Sequence, residues 1–155
     1  MSDKYADYWE QNLNHSLANY LHCVVEADKS FQYGPSCWGL TASPGPDGYK
    51  AFAPHNDNGT IAPAAAVGSM PYTSELSLRA ARKFTTLQDG KVFDKHGFVA
   101  AFNLKEGWRS KHSVALDQGA NILMIENYRT GLPWSLLRKN KDVQTGLKKL
   151  GFEYK

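Results

Sequence analysis

Between residues 30 and 71 the chain carries six of its 7 prolines and six of its 13 glycines. Proline fixes φ and removes a backbone donor, while glycine permits left-handed conformations that other residues avoid. That density breaks long helices and central strands, so the stretch reads as mostly turns. At about 40 residues it is far longer than an ordinary connection, and loops of that length are either functional or disordered. Disorder is disfavoured, because Phe31, Tyr33, Trp38, Tyr49 and Phe52 are spread through it. Two readings stay open: the aromatics form an ordered wall of a site, or they pin the loop to the core. One short helix fits inside it. Thr60 would be its N-cap, Pro63 would lie in its first turn and Gly68 would stop it.

The flanks are helical in pattern. Over residues 4–29, Tyr5, Trp9, Leu13, Leu17, Tyr20, Leu21 and Val24 recur at helical spacing on one face. A second helix is expected from Ser74 to about Leu87, with Thr73 as N-cap and Glu75 in the first turn. Residues 89–112 are irregular, and Phe98–Phe102 fits a short strand or a buried helical turn. A further helix is expected from about Ser113 to Tyr128. Its run Ile122-Leu123-Met124-Ile125 makes it apolar nearly all round, which predicts a central position. Two short helices, Leu132 to Arg138 and Asp142 to Leu150, close the pattern, bounded by Gly131, Pro133 and Gly151. The expectation is one domain over 1–155, all-α, with one long Gly/Pro/aromatic loop.

Composition removes several functional classes. A net charge of +3 on 155 residues is too small to argue for a nucleic acid or a membrane surface. No apolar run is long enough to span a bilayer. Met1-Ser2-Asp3-Lys4-Tyr5 lacks an apolar stretch, so no secretory signal is expected on this chain. Cys23 and Cys37 supply neither a disulfide framework nor zinc spacing, and the five histidines include no His-x-x-x-His pair. No metal and no cofactor is expected. There is no Gly-x-Ser-x-Gly motif, phosphate loop or dinucleotide fingerprint. Asn56-Asp57-Asn58-Gly59 lacks the alternating acids and closing Glu of a calcium loop. Lys139, Lys141, Lys148 and Lys149 read as the solvated side of the last helices.

Among the carboxylates, Asp117 stands out. It falls in the first turn of an apolar helix, where the helix dipole and free N–H groups favour its charged form. A carboxylate held ionised suits a general base, although a plain N-terminal cap explains the position as well. Glu126 lies nine residues on, roughly on the opposite face and some 13 Å along the axis. It is expected to pair with Arg129 or another Arg as a buried structural ion. Asp47, in Gly45-Pro46-Asp47-Gly48-Tyr49, fits an Asx turn or a ligand contact. Trp38, Tyr49, Tyr72 and Trp108 each lie near Gly or Pro. Their flat faces would suit the C–H faces of sugar rings, or simply an aromatic core.

Three runs narrow these options. They are Cys37-Trp38-Gly39-Leu40-Thr41-Ala42-Ser43 with Gly45-Pro46-Asp47-Gly48-Tyr49; Gly59-Thr60-Ile61-Ala62-Pro63 before Pro71-Tyr72-Thr73; and Leu116-Asp117-Gln118-Gly119 with Met124-Ile125-Glu126-Asn127-Tyr128-Arg129-Thr130-Gly131. With Gly97-Phe98-Val99 and Ala101-Phe102-Asn103, they resemble the bacterial glucoamylase-like domain, a grouping that includes the endo-β-1,2-glucanases of glycoside hydrolase family 144. The resemblance runs from about residue 6 to residue 152 and implies part of an (α/α)6 toroid. It implies an inverting hydrolase acting on a β-glucan. Asp117 would be general base or a carboxylate of the −1 subsite, and Trp38, Asp47, Tyr49, Tyr72, Trp108 and Gln118 would bind sugar. Inversion needs acid and base carboxyls roughly 6.5–9.5 Å apart. Members of the family are two to three times longer, so this chain matches only the C-terminal half, and no Glu here matches the family's acid. The resemblance therefore implies a domain incomplete by itself, which would pair with a missing N-terminal half or with a second copy. Full-length relatives are expected to be periplasmic or secreted. The alternative is a non-catalytic carbohydrate-binding or helical oligomerisation domain.

Overall fold

The computed structural model describes residues 1–153. Helix α1 spans Tyr8–Leu21 and runs on into a single π-helical turn, His22–Glu26. It starts later than its periodicity suggests. The Asp3 carboxylate accepts from the N–H groups of Tyr5 and Ala6, which fixes a turn there instead. Asp7 then caps the helix, accepting from the N–H groups of Trp9 and Glu10. Ser2 pairs with Glu153, tying the two ends of the described chain together.

The all-α expectation is corrected by three small antiparallel sheets. β1 (Ala42–Gly45) and β2 (Gly48–Ala51) form a hairpin around Pro46-Asp47. β3 (Thr60–Ile61) pairs with β6 (Phe102–Asn103), which pairs with β7 (Trp108–Arg109). β4 (Phe93–Asp94) and β5 (Gly97–Phe98) form a second hairpin with Lys95-His96 at its tip. None exceeds four residues, so period-2 alternation had no length over which to show. Thr60 is a strand residue opposite Asn103, not a helix cap, because the short helix α2 (Pro63–Gly68) is capped by Ala62.

α3 spans Ser74–Phe84 after the N-cap Thr73 and leads into a short helical segment, α4 (Leu87–Gly90). Trp38, Ile61, Val67, Phe84, Val92 and Phe102 are fully buried together. The core therefore sits where α2 and α3 meet the strands and the Gly/Pro-rich segment. Of that segment's aromatics, Trp38 and Phe52 are buried, and Tyr33 is half-buried with its hydroxyl donating to Asp57 at 2.8 Å. For these three residues, pinning the loop is the reading the structure supports.

α5 spans Ala115–Thr130 and packs along α2, then turns at Gly131 into α6 (Leu132–Lys139) and α7 (Lys141–Lys149). Its expected central position is not observed. Leu116 is 80% exposed and Ile122 66%. One flank of α5 meets α2, and its other apolar flanks face outward among the described residues.

Candidate functional site

The first turns of α5 organise the region around Asp117. At about 100° per residue, Gln118, Gly119 and Ile122 share one side of the helix, and Asp117 and Asn121 share another. On the first side Gln118 is bonded twice to β5. Its amide oxygen accepts from the Phe98 N–H at 3.2 Å, and its amide nitrogen donates to the Phe98 carbonyl at 2.8 Å. Phe98 lies opposite Phe93 next to the Val99–Val92 bond, so its own backbone groups point out of the β4–β5 ribbon. Gln118 takes the place of a third strand. At the hairpin tip the Asp94 carboxylate accepts from the His96 N–H at 2.7 Å.

This arrangement leaves a cleft of about 760 Å³, bordered by Asp94, His96, Lys111, His112, Gln118 and Ile122. Sequence reasoning named only Gln118 of these six as a site residue. The two histidines and Lys111 come from segments with no periodicity, and the one local signal was the Asp94-Lys95-His96-Gly97 turn.

Asp117 itself does not border that cleft. It is half-buried on the adjacent side of α5, with no hydrogen bond to its carboxylate among the described residues. The helix cap is Val114, so Asp117 is not the capping residue. Its electrostatics also differ from expectation. Burial lifts its pKa above the ordinary carboxylate value, because desolvation penalises the charge and no N–H bond offsets it. None of the first-turn N–H groups bonds its carboxylate among the described residues, so burial sets the direction of the shift.

The remaining sequence-derived residues are dispersed. Trp38 is completely buried and edge-on to Tyr20 at 5.5 Å, so neither face of its ring is open for stacking. Asp47 is exposed in the β1–β2 turn, and beside it Tyr49 is 71% exposed. Tyr72 packs against Trp9 at 5.0 Å and Trp134 at 6.3 Å. The Trp134 N–H donates to Asn127, ten residues along α5 from Asp117 and therefore about 15 Å away along the axis. Trp108 is half-buried on β7, its carbonyl accepting from Gln88. Glu126 pairs with Arg129 at 3.2 Å as expected, but at the surface rather than buried. The structure thus brings Asp117 and Gln118 to one helix turn and leaves the aromatic residues elsewhere.

A second polar cluster escaped sequence reasoning. Asp57, only 4% exposed at its side chain, accepts from the Tyr33 hydroxyl at 2.8 Å, the Gly59 N–H at 3.0 Å and sits 3.1 Å from His22 Nε2. It ties the π-helical turn to the Gly/Pro-rich segment. Among the described residues no cluster of His, Cys, Asp and Glu suits a metal ion, and no helix is long and apolar enough to cross a membrane.

A mostly helical domain with small antiparallel sheets and ordered Gly/Pro loops fits the glucoamylase-like class. Residues 1–141 match the family model described as "Putative glucoamylase", and the chain belongs to that family. A solved Bacteroides uniformis protein described in the same words is 48% identical and superposes with a TM-score of 0.94, over 98% of this chain and 37% of its own. The endo-β-1,2-glucanase of Chitinophaga pinensis, solved with sophorotriose and glucose, is 47% identical with a TM-score of 0.94, over 99% and 37%. The exo β-1,2-glucooligosaccharide sophorohydrolase of Parabacteroides distasonis is 40% identical over 151 residues, 96% of this chain and 21% of its own length. The chain thus spans about a fifth of that curated relative and little more than a third of the solved ones.

Proposed function

We propose that this chain is the Asp117-bearing portion of an inverting hydrolase acting on a β-1,2-glucan, and that hydrolysis needs a general acid from outside it. The observation that carries this reading is its likeness, at 40–47% identity over nearly all its length, to proteins named for β-1,2-glucan hydrolysis. The run Leu116-Asp117-Gln118-Gly119 supports Asp117 as the base. Its carboxylate has no hydrogen-bond partner among the described residues, so it is available to a water. Its raised pKa moves it toward the range in which a base accepts a proton at modest cost. Gln118 serves this site by fixing the β4–β5 hairpin, and exposed Tyr49 with Asp47 offers a stacking face beside a hydroxyl acceptor.

Completion of the site falls to further polypeptide carrying the acid, docked against the outward apolar flanks of α5 and α6. A second copy of this chain would cover the same surface but bring a second base and no matched acid. The test is a reducing-sugar assay on β-1,2-glucan, with this chain alone and mixed with the segment of the Chitinophaga pinensis enzyme that lies outside the matched region. Activity only in the mixture, lost with Asp117→Asn, is the expected result. Full activity in the Asp117→Asn mixture overturns the assignment. Tryptophan quenching by sophorooligosaccharides without turnover in any mixture would favour the sugar-binding alternative, which the exposed Tyr49 keeps in view.

A further inference from the structure

Asn121 is 3% exposed, and neither its amide nitrogen nor its amide oxygen has a hydrogen-bond partner within the protein. Roughly 90% or more of buried polar groups are partnered in native structures, so a fully orphaned amide calls for a ligand. Its neighbours narrow what that ligand touches. α2, the helix packed against α5, reads Pro63-Ala64-Ala65-Ala66-Val67-Gly68 and has no polar side chain to offer. Toward the C-terminus, the residues three and four positions on are Met124 and Ile125. Toward the N-terminus, the residue three positions back is Gln118, whose amide is engaged on both atoms by Phe98. The residue four positions back is Asp117, whose carboxylate is unpartnered among the described residues.

Side chains on a helix lean toward its N-terminus, so Asn121 lies over the turn that holds Asp117. Residues four apart have Cβ atoms about 5–6 Å apart, a spacing one water can bridge. We propose that Asn121 and Asp117 hold an ordered water between them, which makes Asn121 a positioning residue for the carboxylate. The Asn121 Nδ2–H donates to the water, and the water donates to the Asp117 carboxylate. The Asn121 Oδ1 stays free to accept from a further water or a sugar hydroxyl. The bridge fixes one carboxylate oxygen and leaves the other open. It also partly offsets the desolvation that burial imposes on the charged form.

The proposal rests on the reading of Asp117 as base only for its use in catalysis, and its test needs no glucan. Asp117 is followed by carboxyl ¹³C NMR against pH in the unmutated chain, in Asn121→Leu and in Asn121→Ser, with amide spectra reporting the fold. The charged groups near the first turns of α5, namely Asp94, His96, Lys111 and His112, are common to all three proteins, and α2 contributes none. A difference in midpoint therefore reports Asn121. The expected result is an Asp117 midpoint about one pH unit higher in Asn121→Leu, a tenfold rise in proton affinity, with partial return in Asn121→Ser. An unchanged midpoint in a folded Asn121→Leu overturns the proposal. Should that variant not fold, a high-resolution crystal structure of the unmutated chain decides. Ordered density within hydrogen-bond distance of both side chains upholds the water, and an Asn121 amide bonded only to protein atoms overturns it.

Discussion

Gln118→Met keeps the length and bulk of the side chain while deleting both hydrogen bonds to Phe98. Phe98 is buried, and its outward N–H and carbonyl have no strand partner to fall back on. Leaving a buried donor or acceptor unsatisfied costs about 1–3 kcal/mol each, and partial entry of water at the cleft brings the pair toward the lower end, about 2–4 kcal/mol in total. For a chain of this size that corresponds to a fall in Tm of roughly 4–16 °C. Urea unfolding followed by tryptophan fluorescence measures it. Gln118→Glu adds a check. Its carboxylate accepts from the Phe98 N–H but faces the Phe98 carbonyl with no proton to give, so it should rank with Gln118→Met at neutral pH and recover in acid. Gly97→Ala probes the same contact from the other side. Gly97 has φ +99°, and an added Cβ would collide with the Gln118 side chain amide. In the Gln118→Ala background that collision disappears and only the backbone strain remains, so the two changes should be less than additive. A Gln118→Met protein within 0.5 kcal/mol of the parent, roughly the scatter of ordinary surface substitutions, would refute the surrogate-strand account.

Asp57→Ala should destabilise by about 3–5 kcal/mol, since it strips His22, the Tyr33 hydroxyl and the Gly59 N–H of a shared buried acceptor; circular dichroism melts check it, and a loss under 1 kcal/mol would contradict the tie. For Asp117 burial raises the folded pKa above the unfolded value. Its contribution to stability is therefore full below the unfolded pKa and lost as pH rises through the folded one. Asp117→Asn should then be at least as stable as the parent at about pH 7, with the advantage gone at about pH 3; a variant less stable at neutral pH would show that the charge is favoured after all. Light scattering after size exclusion should find the chain associated at micromolar concentration, given the exposed Leu116, Leu123, Leu136 and Leu137, and a clean 17.3 kDa monomer would argue that these surfaces need no cover.

Much of the helical part was legible because it obeys local rules. Gly131 ends α5 at φ +69°, Pro133 opens α6, and the periodicity of α3 and α5 places both helices within two or three residues. The strands were not legible, since two residues such as Thr60-Ile61 carry no pattern and are defined only by partners some 40 positions away. The same holds at the site. Asp117 and Gln118 could be singled out from one run, but which way each points is set by what packs on α5. Only tertiary contact shows that Gln118 is consumed by Phe98, that Trp38 is enclosed, and that His96, Lys111 and His112 share a cleft. The aromatic residues illustrate the limit most directly. Their chemistry suits sugar stacking and core packing equally, and for Trp38 burial decides for the core.

The apolar character of α5 gains a physical explanation once its faces are separated. Buried Asn121 and core-packed Ile125 lie on one side of a helix that runs along α2, and Gln118 with Ile122 faces the hairpin and its cleft. Leu116, Ala120 and Leu123 point outward along a third stripe, because positions four and three apart fall on one side of a helix. An ordinary surface helix is polar on the side away from its core, and this one is not. Solved relatives of nearly identical local fold are close to three times longer, since the aligned region is 37% of their length. A helix with apolar residues on all sides is the expected solution where polypeptide packs on every flank. The exposed stripe of α5 has the apolar character of a helix face that another element covers.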